Sequence, residues 1–204
     1  MKKLVLTFDD GPSPIYTEKL LNILKAENIK ATFFVVAKNA AEMPEIIDRM
    51  KEEGHCIALH SLEHRHAFLC SYSYMKRDFS ESLKILKSMH CNIHFYRPPW
   101  GVRNIFSNHF IRKHQLQLVL WDIMAGDWQA GTTPEMIETI IKKKVFDGAI
   151  ICLHDGCEKY GGAKGAPFHT IDALKSAIPK LKEKGYEFIT VEDFYKHEGS
   201  RSKS

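Results

Sequence analysis

The sequence of 204 residues contains no long apolar run, no low-complexity segment and no Cys-x-x-Cys pair. A transmembrane helix needs roughly 20 consecutive apolar residues, so no membrane partner is expected. The five cysteines are an odd number without metal-site spacing, which indicates neither a disulfide framework nor a thiolate zinc site. The 29 lysines and arginines are scattered among 25 acidic residues. They form no basic stripe, so no nucleic-acid partner is expected either.

The first ten residues, MKKLVLTFDD, hold too short an apolar stretch for the core of a secretion signal. Together with the cysteine usage, this predicts a cytoplasmic protein with free thiols. If a secretion signal has been removed from the chain, the same residues would belong to an extracellular protein. The length and the 44% hydrophobic composition are those of one globular domain, which we expect to be a monomer.

Short apolar segments alternate with segments of helical period along the chain, as in repeated β-α units. About seven such units predict an α/β fold, a distorted (β/α) barrel with its chemistry at the carboxyl ends of the strands. We assign residues 1–198 to this domain and residues 199–204 to a frayed tail. Further predictions are one helix over 40–54, a strand over 116–121, and a helix broken or bent near Pro179.

A few types of polar residue recur where the predicted strands end. Among them are Asp9 and Asp10, His60, Arg97, Asp127 and His154. The spacing of His60 and His64 places both imidazoles on one face of a helical turn. Two imidazoles and a carboxylate make a three-ligand set with an open position, which is typical of catalytic zinc. Taken alone, an Asp-Gly-Pro turn and a His-x-x-x-His spacing are also common in proteins without a metal.

Five segments, in order, resemble the motifs of the polysaccharide deacetylases, also known as carbohydrate esterase family 4 or the NodB-homology domain. They are TFDDGP, HSLEH, RPPWG, the Asp127-Trp128 pair and LHDG. The resemblance covers essentially the whole chain. It implies a distorted (β/α) barrel and a metal-dependent hydrolase that removes acetyl groups from N-acetylated or O-acetylated sugars. Its implied partner is a carbohydrate substrate.

The resemblance also assigns roles. The implied metal ligands are Asp10, His60 and His64. The implied cofactor is a divalent cation, Zn²⁺ first, with Co²⁺, Ni²⁺ or Mn²⁺ as alternatives. Asp9 would be the general base and Arg97 the residue that orients it. His154 would be the general acid, with Asp127 holding its imidazolium.

For the substrate, the resemblance implies an oxyanion contact from the backbone N–H of Trp100. It also implies an acetyl-methyl pocket made by Trp128 and Leu153, although both would serve equally well as ordinary core residues. Many family members carry Tyr or Phe in place of Trp100, and Asp in place of Met124. These two departures leave the substrate range open.

Several features keep more than one interpretation. The glycine-rich segment 155–167 could be a lid, a substrate-binding loop or a simple connection, and Cys152 and Cys157 suit small buried side chains. One alternative function is a deformylase or other C–N hydrolase acting on a small or lipid-linked amino sugar. Another is a non-catalytic metal-containing carbohydrate-binding domain. The presence of both Asp9 and His154 argues against the latter, because binding needs neither.

Overall fold

The structure, a computed structural model, describes residues 1–201. Its strands are β1 (Lys2–Asp9), β2 (Thr32–Val35), β3 (Cys56–Leu59), β4 (Phe95–Tyr96), β5 (Gln117–Leu118), β6 (Ile123–Met124), β7 (Ala149–His154) and β8 (Tyr186–Phe188). Its α-helices are α1 (Thr17–Ala26), α2 (Ala37–Glu42), α3 (Pro44–Glu52), α4 (Tyr72–Ser88), α5 (Ile105–Lys113), α6 (Pro134–Lys144), α7 (Ala166–Glu183) and α8 (Val191–Arg201). Short 3₁₀ turns lie at Ala67–Leu69, Pro99–Gly101 and Cys157–Tyr160.

The strands form one parallel sheet in the order β5-β4-β3-β2-β1-β7-β6, and β8 pairs with the first residues of β1. The central strand β1 places Asp9 opposite Phe34 on β2 and opposite His154 on β7. The sheet curls, with helices packed outside it, so the predicted α/β distorted barrel is confirmed. The carboxyl ends of the strands meet at one rim, where the polar residues gather.

Both faces of β1 are buried from Leu4 onward, which explains why Leu4, Val5, Leu6 and Phe8 are apolar on both faces. Leu6 and Phe8 pack in the large core that includes the helices. Val5 belongs to a second cluster with Ile150. Because side chains alternate along a strand, Asp9 lies on the same face as Val5, toward the interior of the curled sheet.

The helix predicted over 40–54 is two helices, α2 and α3. They are separated at Met43, whose backbone angles are φ −136° and ψ 59°. The ring of Pro44 disfavours a helical conformation at the preceding residue, so one helix ends and a second begins with proline in its first turn. By contrast, α7 is one continuous helix that contains Pro179, so the break predicted there is absent.

The predicted strand over 116–121 is shorter in the structure, since β5 covers only Gln117–Leu118 and the sequence pattern did not indicate β6. Helix α6 begins after Thr133, whose side chain accepts a hydrogen bond from the Met136 N–H, with Pro134 at its first position. The tail predicted for residues 199–204 begins inside α8, and residues 202–204 lie outside the described residues.

None of the helices within residues 1–201 has the length and apolar character needed to cross a bilayer. The five cysteines are free and buried.

Candidate active site

Asp9 and Asp10 are adjacent at the end of β1, yet their side chains have different partners. Asp9 keeps the alternation of the strand and faces Arg97. Asp10 has a left-handed backbone, with φ 78°, and faces His60 and His64. The change of backbone conformation separates the two carboxylates, so each can take a different role.

The predicted metal ligands come together. The Oδ1 atom of Asp10 lies 3.3 Å from Nε2 of His60 and 2.9 Å from Nε2 of His64. The predicted helical turn is wrong, because the segment from His60 to His64 is not helical and Ser61 and His64 have positive φ angles, 78° and 57°. The hydroxyl of Ser61 accepts a hydrogen bond from the His64 N–H at 2.9 Å and closes this segment.

The chemistry of these three groups fits a bound cation. Nδ1 of His60 lies 2.7 Å from the Arg97 carbonyl, which can only accept, so Nδ1 carries the proton. In the neutral ring, Nε2 then presents a lone pair toward Asp10 Oδ1, which is itself an acceptor. Two facing acceptors are compatible with a cation between them, and the hydrogen bond on Nδ1 orients the ring as in many metal sites.

Protonation states agree with this set of ligands. Burial would raise the pKa of Asp10, but hydrogen bonds from the His60 and His64 rings in their protonated forms outweigh it and hold that pKa well below its usual range. Burial lowers the pKa of His64, so its ring favours the neutral form despite the nearby carboxylate. One anionic carboxylate and two neutral imidazoles can therefore bind a divalent cation.

Asn39, on α2, supports the strained backbone of Asp10 from behind. Its side-chain amide donates to the Asp10 carbonyl at 3.0 Å. Its Oδ1 accepts from Nζ of Lys159 at 2.7 Å and from the hydroxyl of Tyr160 at 3.2 Å. The ring of Tyr160 in turn stacks on His64, with 4.3 Å between centroids. Part of the glycine-rich segment is thus a packed wall beside the metal ligands.

Arg97 is fully buried and holds Asp9 in one orientation. Its Nη1 donates to Oδ1 of Asp9 at 2.7 Å and to the hydroxyl of Thr7 at 2.7 Å. Its Nε and Nη2 donate to the carbonyls of Val119 and Leu120 at 3.1 and 2.9 Å. Because four contacts fix the guanidinium, the carboxylate that it pairs with is fixed as well.

The second oxygen of Asp9 has a partner that the sequence pattern did not reveal. The thiol of Cys152 donates to Oδ2 of Asp9 at 3.4 Å. Cys152 is fully buried, and burial, reinforced by the Asp9 charge, raises the pKa of its thiol well above the usual value. Period-two alternation along β7 would have placed Cys152 on the same face as His154.

His154 and Asp127 form the predicted pair. Nδ1 of His154 lies 2.9 Å from Oδ1 of Asp127, while Oδ2 accepts from the His154 backbone N–H and from the Thr170 hydroxyl, both at 2.8 Å. This leaves Nε2 as the nitrogen on the cavity side. Burial lowers the pKa of His154, but the Asp127 carboxylate more than compensates, and the pKa is raised to about 9. The Asp127 carboxylate therefore favours the protonated form of the ring.

These groups surround one cavity of about 340 Å³. Asp9, Asp10 and the three histidines line it, and aromatic rings complete its walls: Trp100, Trp121, Trp128 and Tyr160. The chain has only three tryptophans, so all of them line this cavity. A concave site with aromatic walls and a few convergent polar groups is typical of small-molecule recognition.

The predicted substrate-binding residues differ in position. Trp128 packs edge-on against His154, and Trp100 packs against His64, with its side chain half exposed at the mouth. Leu153 is fully buried in the large core and is not among the described residues that line the cavity. Alternation along β7 turns it away from His154, so its position does not support the predicted acetyl pocket.

Comparison with known proteins places this geometry in a family. The family model described as Polysaccharide deacetylase matches residues 1–119. A peptidoglycan-N-acetylglucosamine deacetylase of Bacillus cereus is 32% identical over 200 residues, which are 96% of this chain and 90% of that protein. The chain belongs to the polysaccharide deacetylase family.

Other members of the family are similar to a comparable degree. A chitooligosaccharide deacetylase of Sinorhizobium fredii is 31% identical over 187 residues, covering 89% of this chain and 86% of that protein. The crystal structure of a family 4 acetyl xylan esterase from Clostridium thermocellum, in complex with cobalt, superposes with a TM-score of 0.85 at 32% identity. That match covers 97% of this chain and 92% of that one.

In this polysaccharide deacetylase, the five motif segments converge on one cavity. Sequence reasoning did not identify Asn39, Tyr160 or Cys152 as part of the site. Asn39 and Tyr160 contact each other although they are 121 residues apart in the sequence, and local sequence patterns do not encode such contacts. Only Cys152 had a local signal, its place two residues before His154 on one strand.

Proposed function

We propose that this protein is a metal-dependent hydrolase that removes acetyl groups from N-acetylated sugar residues of a poly- or oligosaccharide. The observation that carries the proposal is a cavity that presents a three-ligand metal set, a carboxylate held by Arg97 and an imidazole held by Asp127. Hydrolysis of an amide requires these parts: an activated carbonyl, a base for water and an acid for the leaving nitrogen.

Asp10, His60 and His64 would hold the divalent cation, and their N₂O donor set suits Zn²⁺. When bound, the cation would polarise the acetyl carbonyl and acidify the attacking water. The cobalt in the related acetyl xylan esterase structure supports a divalent ion in this family, while the ion of this chain is part of the proposal.

Asp9 would take the proton from the attacking water. Arg97 donates to one of its oxygens at 2.7 Å, which keeps the carboxylate in one orientation. Proton transfer by a positioned base contributes typically 10²- to 10⁴-fold to the rate.

His154 would donate a proton from Nε2 to the leaving nitrogen. Asp127 holds Nδ1 and favours the imidazolium, so the proton is in place at neutral pH. This favours N-acetyl over O-acetyl substrates, because an amine is a much poorer leaving group than an alcohol unless it is protonated. Trp128 and Trp100 would contact the acetyl group and the sugar ring, and the Trp100 backbone N–H would stabilise the oxyanion.

The test is acetate release from three substrates: N-acetylglucosamine oligomers, peptidoglycan fragments and acetylated xylan. The curated relatives are named for N-acetylglucosamine in peptidoglycan and for chitooligosaccharides, so we expect turnover of the first two. Asp9→Asn and His154→Gln are the matched inactive controls. Release of formate from an N-formyl sugar, with no acetate from any substrate, would contradict deacetylation.

A further inference from the structure

Asp9, Cys152 and His154 form a second group of metal-binding side chains beside the first. One ligand atom from each of the three lies within 4.8 Å of the other two. The strands explain the arrangement, because Asp9 and His154 are opposite each other in the β1–β7 register, and Cys152 is two residues before His154. All three side chains therefore share the inner face of the sheet.

We propose that these three residues bind a second divalent cation, with zinc preferred, and that occupancy of this site inhibits the enzyme. The donors would be a carboxylate oxygen, a thiolate sulfur and an imidazole nitrogen. Thiolate and imidazole are ligands that zinc prefers, and three protein ligands leave one position for water. The site lies next to the first, because Asp9 and Asp10 are consecutive.

The hydrogen bonds of the three residues leave suitable atoms free. Arg97 takes Oδ1 of Asp9, so Oδ2 remains, and this is the oxygen that faces the Cys152 sulfur at 3.4 Å. Asp127 takes Nδ1 of His154, so Nε2 remains. A metal-binding histidine whose other nitrogen donates to a carboxylate is the usual arrangement in zinc sites.

Binding exchanges protons for the ion without any redox step. The thiol proton of Cys152 and the Nε2 proton of His154 leave to solvent as their atoms bind the cation. Asp9 and His154 line the cavity, so an ion can reach the group from the substrate side. Inhibition follows because the ion would occupy both the proposed base and the proposed acid. This last step rests on the proposed function, whereas metal binding itself does not.

The first test is a cobalt titration of metal-free protein, followed by absorption spectroscopy. The first equivalent should fill Asp10, His60 and His64 and give only weak visible bands. Further Co²⁺ should add a near-ultraviolet sulfur-to-cobalt charge-transfer band, which requires a thiolate ligand. Cys152→Ser keeps a hydroxyl beside Asp9 and should lose this band. Cys157→Ala removes a different thiol, one that lines the cavity, and should keep the band.

No charge-transfer band at any cobalt concentration, or a band that survives in Cys152→Ser, would overturn the proposal. Cys152→Ala serves if the serine variant does not fold, and retention of the weak visible bands at one equivalent shows that the first site is intact. Since this titration needs no turnover, it decides the metal site even if no substrate releases acetate.

The second test measures acetate release against zinc added beyond one equivalent, with each variant normalised to its own maximum. At free zinc ten times the second-site Kd, the wild-type rate should fall about tenfold, because the active fraction is 1/(1 + [Zn²⁺]/Kd). In Cys152→Ser the inhibition curve should move to at least roughly tenfold higher zinc, as for the loss of a zinc-site partner. Identical curves in the two proteins would contradict the site.

Discussion

Arg97 and Asp9 form an ion pair inside the curled sheet, with 2.7 Å between Nη1 and Oδ1 and no exposure of the arginine side chain. Removing two charges from water is costly, and their attraction offsets that cost only where further hydrogen bonds satisfy both groups. Here the guanidinium also contacts Thr7, Val119 and Leu120. The pair therefore links the candidate base to the strand framework.

Arg97→Met should destabilise the protein strongly. The substitution leaves the Asp9 carboxylate buried without its partner. Breaking a buried ion pair in this way lowers the free energy of unfolding by about 3–5 kcal/mol. Arg97→Lys should cost less but still lower kcat, because an ammonium cannot reproduce the planar set of contacts. Urea denaturation measures the first effect, and acetate release measures the second.

The control is Lys142→Met, which breaks an exposed pair with Glu138 at 3.1 Å. Exposed pairs contribute about 0–1 kcal/mol, so the free energy of unfolding should hardly change. Equal losses in Lys142→Met and Arg97→Met would mean that burial of the Arg97 pair has no special energetic consequence.

The two adjacent aspartates should respond differently to mutation. His60→Ala and Asp10→Asn each weaken a ligand of the proposed cation, so both should lose bound metal and activity together. At one equivalent of metal, Asp9→Asn should keep the ion bound by Asp10, His60 and His64 and lose turnover, because its carboxylate serves as the base. Metal content by mass spectrometry, measured beside acetate release, separates the cases. Metal loss from Asp9→Asn equal to that from Asp10→Asn would contradict the separate roles, and loss from Asp9→Asn alone would mean that the roles are reversed.

The fold and the catalytic candidates could be predicted to a large extent, because each motif residue follows a strand and parallel strands end at one rim. Asp9, His60 and His154 are examples. What local patterns could not give is which strands are neighbours. Asp9 and Cys152 are 143 residues apart in the sequence, and they are in contact only because β7 pairs with β1.

Other errors came from features with a weak sequence signal. The strand β6 has two residues, too few for a period to show. The resemblance implied an acetyl-pocket role for Leu153, with ordinary core as an equal alternative. Adjacent strand residues face opposite sides, and Leu153 lies in the helix-side core. Asn39 gave no signal, since an Asn in a short helix is unremarkable until Asp10 and Tyr160 are placed around it.

His55 should make the protein less stable in mild acid. Its ring is buried, accepts a hydrogen bond from the Ala31 N–H at 3.2 Å and packs edge-on against Phe33. Burial, aided by the charge of Lys30, lowers the pKa of His55 from 6.5 to about 4. As the pH falls, His55 is therefore protonated in the unfolded chain before it is protonated in the folded protein. The contribution of the neutral His55 ring to the free energy of unfolding is fully present above about pH 6.5 and is lost toward pH 4, a change of about 3 kcal/mol.

The matched variant is His55→Asn, whose Oδ1 can accept from Ala31 in place of Nδ1. Its stability should be lower than wild type at pH 7, but it should depend less on pH between 6.5 and 4. Urea denaturation at several pH values gives both slopes, and other titrating groups cancel in the difference. Parallel slopes for the two proteins would exclude His55 as the source.

His154 and Asp127 predict a specific change in the pH dependence of kcat/KM. A general acid works only while protonated, so activity should fall as the pH rises through the His154 pKa of about 9. Asp127→Asn removes the charge that favours the imidazolium, so the alkaline limb should move to lower pH by roughly one to three units. Thr170→Val is the control, because it removes the 2.8 Å hydrogen bond to Asp127 but keeps the charge, and its alkaline limb should stay near that of wild type.

A water molecule acidified by the proposed cation would also produce an alkaline limb. An unchanged limb in a folded, metal-containing Asp127→Asn variant would assign the limb to that water and leave Asp127 a structural role.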